Sequence, residues 1–245
     1  MSPNLKIGIW IWRLMPHGLW YHVDETSAIG DNIMKTNRVT ILVAMVLALL
    51  ICCPVQTNGI TSIHVRGNYR HQGFGMIFPE SIGALKRVQI TEFSPDGKDV
   101  GVGYNLISLI SPIAITVYVY PAPSLMPASS PPDVAEMDRA RLFQNHLNEL
   151  KREILAASPS AKITADDDFS IMMGGQSYKG RKVTFQLFYN FDGRLQDSIS
   201  QLYLFQNGTW LIKYRATYPK QTAITSEAAV VDFINKLVWP ANSNP

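Results

Sequence analysis

Three histidines lie beyond residue 55: His64, His71 and His146. Imidazole exchanges protons near neutral pH, so acid–base or nucleophilic chemistry is sought first around these positions. His64 and His71 fall in a polar, glycine-containing stretch. His146 stands beside Asn145 in a long amphipathic segment, with no Ser or Cys nucleophile motif near it. No G-x-S-x-G, H-E-x-x-H or Walker pattern occurs in the chain. His146 is therefore read as a helix-edge residue, and no catalytic residue is assigned.

Two further groups invite a metal or a phosphate. Asp166-Asp167-Asp168 are consecutive on an expected strand, so their side chains alternate between faces and do not converge on one ion. The spacing and the distant Glu of a calcium loop are missing. Gly73-x-Gly75 precedes a strand and has no helix N-terminus behind it to hold an anion, and Gly174-Gly175 reads as a turn. Neither a metal nor a cofactor is expected.

Five cations remain. Lys179, Arg181, Lys182, Lys213 and Arg215 fall on strands expected to pair, where they would form a surface for an anionic membrane or an acidic partner. Exposed strand faces kept soluble by charge are the plainer alternative. Tyr118, Tyr120, Tyr189, Tyr203, Tyr214 and Tyr218 are read as cross-strand packing residues before an aromatic binding surface. Asn207-Gly-Thr209 matches a glycosylation sequon, but Asn-Gly between two alternating runs already accounts for itself as a hairpin turn.

The elements that would carry these residues begin with a segment of another kind. The chain has 245 residues, 47% of them hydrophobic and 17% charged, with a net charge of +3. That balance suits a globular protein and gives no nucleic-acid footprint. Lys35 and Arg38 precede Val39–Cys53, an apolar run without charge, Gly or Pro that ends at Pro54. A basic region followed by an apolar one is the layout of a secretory signal. The run is shorter than the roughly 20 residues of a spanning helix, so cleavage is preferred. A retained anchor through 39–53, or lipid attachment at Cys52 or Cys53, stays open. Export to the periplasm, or anchoring at the inner membrane, is expected. The expected organisation is an upstream extension over 1–33, a signal or anchor over 34–55, a flexible lead-in over 56–73, one domain over 74–240 and a tail over 241–245. Both cysteines, Cys52 and Cys53, precede the domain, which is then free of disulfides.

Within the domain, period-two alternation predicts strands over 86–93, 100–106, 113–120, 178–191, 198–206 and 210–217, with another over 162–173. A helix is predicted from an Asp133/Glu136 capping box to Ser158, with Val134, Met137, Ala140, Phe143, Leu147, Leu150 and Ile154 as its apolar stripe. A last helix is predicted from Ser226, with Val230, Phe233, Ile234 and Leu237 inward. The order β-β-β-α-β-β-β-β-α implies an antiparallel sheet packed with two main helices, an α+β fold.

Phe78-Pro79-x-x-x-Gly83-x-x-Lys86-Arg87, Val100-Gly-Val-Gly-Tyr104, Ile115–Tyr120 and Leu202–Pro219 together resemble an uncharacterised family of exported bacterial proteins. The element order is similar to the PsbP-like and DcrB-like sandwich, over residues 74–239. The resemblance implies a binding or accessory role and supplies no catalytic residue. The function expected is an exported, non-enzymatic envelope domain that binds a protein or envelope component. The alternative is a carrier of a small apolar ligand held between sheet and helix.

Overall fold

In the computed structural model, residues 60–123 and 131–240 are described. The expectations for 1–33, 34–55 and 241–245 lie outside them. Eleven strands, β1 Thr61–Ile63, β2 Tyr69–Arg70, β3 Ile77–Phe78, β4 Ser81–Ile82, β5 Leu85–Glu92, β6 Val100–Leu106, β7 Ile113–Pro121, β8 Lys162–Met173, β9 Gln176–Phe191, β10 Arg194–Asn207 and β11 Trp210–Pro219, accompany two helices, α1 Pro132–Ala157 and α2 Ala223–Lys236. The main sheet is antiparallel, in the order β1-β5-β6-β7-β11-β10-β9-β8 with β4 added to β5. The fold is α+β, and the sequence of its long elements is the expected one. Among the described residues no helix is long and apolar enough to cross a membrane.

Alternation sorts each central strand between two cores. Val100, Val102 and Tyr104 on β6, Ile115, Val117 and Val119 on β7, and Ile212, Tyr214 and Ala216 on β11 meet Val230, Phe233 and Ile234 of α2. Val183, Phe185 and Leu187 on β9, Leu202 and Leu204 on β10, and Leu211 on β11 meet Leu147 and Leu150 of α1. The layer against α2 is filled by the protein's own rings: Tyr104 lies edge-on to Phe233, centroids 5.0 Å apart. Type and order of turns agree with the residues that make them. Asp192 (φ 51°) and Gly193 (φ 82°) take the left-handed conformation of the tight hairpin between β9 and β10.

Three local expectations are corrected. Residues 60–73 are not a flexible lead-in, because β1 pairs with β5 and β2 with β3. Arg87 fixes this segment, donating to the carbonyls of Val65 (2.6 Å), Gly67 (2.7 Å) and Phe78 (2.6 Å). No period or motif marks such contacts, since the acceptors are backbone atoms. The capping box does not form: α1 begins at Pro132 behind Pro131, and Asp133 lies in its first turn without a side-chain cap bond. Proline's fixed φ starts the helix two residues earlier, with Pro131 in place of Asp133 at the cap. Ser226 likewise lies inside α2, its hydroxyl 3.0 Å from that of Thr222, which is the residue at the cap.

His71 is fully buried and structural. Its Nδ1 accepts from the Phe74 amide (2.9 Å), which leaves Nε2 to donate to the Lys98 carbonyl (3.2 Å). Burial holds its pKa below the usual histidine value. The same turn explains Gly73, where a Cβ would run into the Trp210 ring. That is a packing requirement, not a phosphate loop.

Candidate functional site

The five cations read from the sequence do not form one surface. Arg181 faces the α1 side, pairing with Asp166 and with Asp168 (3.2 Å) on β8. Lys151 of α1 meets the same Asp166 at 2.8 Å. Lys182, one residue on, points to the other face and pairs with Glu227 of α2 at 2.9 Å. Lys179 is exposed. Lys213 and Arg215 share the α1 side of β11, in the middle of the sheet, and both are half-buried. The set thus divides into ion-paired residues at the β8 edge and on the α2 face, and a central pair.

Aromatic rings surround the central pair. The Lys213 ammonium sits 4.0 Å from the centroid of Tyr118, its cross-strand neighbour, and 5.7 Å from that of Tyr120. The Arg215 guanidinium stacks 5.2 Å from Phe185, and its Nε donates to the Ser200 hydroxyl at 2.7 Å. Tyr118 and Phe93 stack on each other 6.1 Å apart, over Gly101 of β6. A Cβ at Gly101 would meet both rings, so this glycine is a condition of the stack.

Helix α1 supplies the titratable rim. His146 Nε2 lies 2.7 Å from the Tyr120 hydroxyl and Nδ1 lies 3.7 Å from Glu149. The residue read as a helix-edge histidine therefore joins helix to sheet. Burial, and next the Lys213 charge, hold His146 below its usual pKa. Burial also raises Glu153, and raises Asp99 to about 6. The same desolvation lowers Lys213 to about 8 and Arg215 to about 10, with Glu153 and then Asp99 opposing the shift at Lys213. Clustered perturbed groups of this kind mark functional sites more often than chance.

A titration follows from this. The Lys213 side chain in the folded protein should release its proton near pH 8, followed by NMR of ε-carbon-labelled lysine. In Glu153→Gln the midpoint should fall further, because the largest opposing charge is gone. A midpoint at the ordinary lysine value of about 10.4 would remove the site from consideration. Stability should rise from about pH 8 toward pH 10, since the unfolded lysine keeps a proton that folded Lys213 has lost. Above about pH 10 the trend reverses: buried tyrosines such as Tyr118, raised to about 12, stay protonated only in the folded state.

A second feature lies at one end of the sheet. The β6–β7 loop, the β9–β10 hairpin and the start of α2 come together there, since Leu106 pairs with Ile113, Ala114 with Thr217, Pro219 with Ser198 and Arg194 with Phe191. Exposed aliphatic side chains concentrate at this end: Ile107 (74%), Leu109 (80%), Ile110 (80%), Leu195 (71%) and Ile224 (89%). The loop is stapled by Ser108, whose hydroxyl accepts from the amides of Ile110 (3.3 Å) and Ser111 (3.1 Å). Arg194 ties it to the hairpin through the Leu109 carbonyl, 3.5 Å away.

No protein-family model matches the chain, and no curated protein matches it. Among solved structures it is similar to a Pseudomonas aeruginosa protein of unknown function described as a putative regulator, with a TM-score of 0.38 and 10% identity over 74% of this chain and 97% of that one. It is also similar to the cyanobacterial PsbP of Synechocystis, with a TM-score of 0.36 and 14% identity over 75% of this chain and 94% of that one. A PsbP structure is thus among the neighbours, while nothing in these comparisons supports membership of an exported family. Both likenesses are too distant to transfer a role.

Proposed function

We propose that this is a non-enzymatic accessory domain of the cell envelope that engages the lipid bilayer through the apolar end of its sheet. The observation that carries the reading is the gathering of Ile107, Leu109, Ile110, Leu195 and Ile224 at one end, each more than two-thirds exposed. Side chains so exposed project; they do not line a groove. A fluid bilayer accepts projecting aliphatic groups without a complementary shape. The Ser108 staple suits that setting, because amides entering an apolar medium must already be bonded. Asp192 stands beside Arg194, and Asp197 pairs with Lys220 at 3.5 Å, so charges near this end largely offset one another. Insertion then depends on the aliphatic groups and little on lipid charge.

The test uses Leu109→Trp in the full chain and vesicles of phosphatidylcholine with brominated acyl chains. The emission added by the new tryptophan should be quenched, and Ile107→Asp with Ile110→Asp should cut the quenching about tenfold or more. Because the readout is local to residue 109, attachment elsewhere in the chain does not mimic it. Unquenched emission from Trp-substituted protein bound to vesicles would exclude insertion at this end.

A further inference from the structure

We infer that Lys213 and Arg215 form a binding site for an anionic group, a carboxylate or phosphate, carried on a ligand that lies against Tyr118, Tyr120 and Phe185. The site is separate from the apolar end and does not depend on it.

The argument starts from how this protein treats its other half-buried cations. Lys151, Arg181 and Lys182 each have a carboxylate within 4.0 Å. Arg87 gives its guanidinium to three carbonyls. Lys213 and Arg215 depart from this pattern. Among the described residues no acid approaches either within salt-bridge distance, although Asp99 and Glu153 are near enough to be felt electrostatically. The one hydrogen bond from Arg215 to a described residue uses Nε, and neither terminal nitrogen donates to a described residue. The Lys213 ammonium has ring faces for neighbours.

Two like charges stand two residues apart on one strand face, about 7 Å apart along the backbone. Half-buried, they repel each other and are poorly hydrated. Folding energetics alone do not favour this arrangement, since apolar residues of similar size would pack there at less cost. An anion between the two would satisfy the free donors and cancel the repulsion. The forked guanidinium suits a carboxylate or phosphate, and the ammonium adds a point charge. With a pKa of about 8, Lys213 remains mostly charged at neutral pH, which suits it to holding an anion there. The rings offer flat apolar walls to the body of the ligand. Tyr120 is held in place by His146.

The probes are benzoate and inorganic phosphate, added to the full-length protein with the ε-carbon signal of Lys213 as readout. Saturable shifts and an upward move of the Lys213 midpoint by either anion are expected; benzoate binding the tighter of the two would show that the rings contribute. Arg215→Met, followed by the Lys213 signal, and Lys213→Met, followed by titration calorimetry, should each weaken binding tenfold or more while leaving the melting temperature equal or higher. Lys98→Met, at an exposed lysine paired with Asp96, should change nothing. Arg215→Lys keeps the charge and should retain part of the affinity if a methionine variant fails to fold. No saturable shift with either anion, or an unchanged affinity in both methionine variants, would overturn the site.

Discussion

Phe205→Ala is expected to destabilise the domain by about 3–5 kcal/mol, the range for emptying a buried aromatic site. Phe205 is fully buried where β8, β10, β11 and the segment after α2 meet. Its ring lies 6.1 Å from Phe169, 6.2 Å from Tyr214 and 5.1 Å from Trp239. Trp239 in turn donates to the Tyr214 hydroxyl at 2.8 Å. Removing Phe205 opens a void beside that buried hydrogen bond and loosens the end of the chain from the sheet. A loss of about 10 °C in melting temperature corresponds to this range for a domain of such size. Equilibrium urea unfolding gives the free energy directly, and a loss below about 1 kcal/mol would mean the cluster can collapse around the gap.

Gly180→Ala is expected to cost about 3 kcal/mol, although it adds one methyl group. Gly180 pairs with Phe205 across β9 and β10. A Cβ there would fall inside contact distance of the Leu204 carbonyl oxygen and of the Phe205 ring. The ring can move, but the carbonyl belongs to the sheet ladder and cannot. The double variant Gly180→Ala/Phe205→Ala should therefore be less destabilised than the sum of the two, without recovering fully. Strict additivity in a double-mutant cycle would show that the methyl is accommodated away from the ring.

These two positions illustrate what can be read from the chain before folding. The long strands were legible because alternation is strong on β6, β7, β9 and β11, and Asn207-Gly208 and Asp192-Gly193 mark their turns. The short strands β1, β2 and β4 were not. They are held by Arg87 and His71, whose partners are backbone carbonyls and amides with no sequence signal. Gly180 sits in a clear strand pattern, and its close approach to β10 appears only when the register is known.

The candidate site divides in the same way. Lys213 and Arg215 were legible as cations on the polar side of β11, but a polar side was equated with a solvent-facing one. In a sheet with a helix on each face that equation fails for central strands. Arg181 and Lys182 are neighbours in sequence, which already places them on opposite faces. Their acids, Asp166 and Glu227, come from different elements and could not be assigned in advance. His146 was weighed as a catalytic group and set aside; its bond to Tyr120 depends on the crossing of α1 over β7, which no local pattern encodes.

The three consecutive aspartates of β8 have a consequence beyond their ion pairs. A sheet that does not close has two outer strands, and each exposes backbone donors and acceptors able to recruit a further strand from another molecule. Here one outer strand, β1, is only three residues long. The other, β8, runs for 12 residues and would be the better template, yet Asp166, Asp167 and Asp168 lie at its middle. A second copy adding alongside in antiparallel fashion would bring two acidic blocks together. The same carboxylates that failed as a calcium site thus set like charges against the antiparallel addition of a second copy at the long edge.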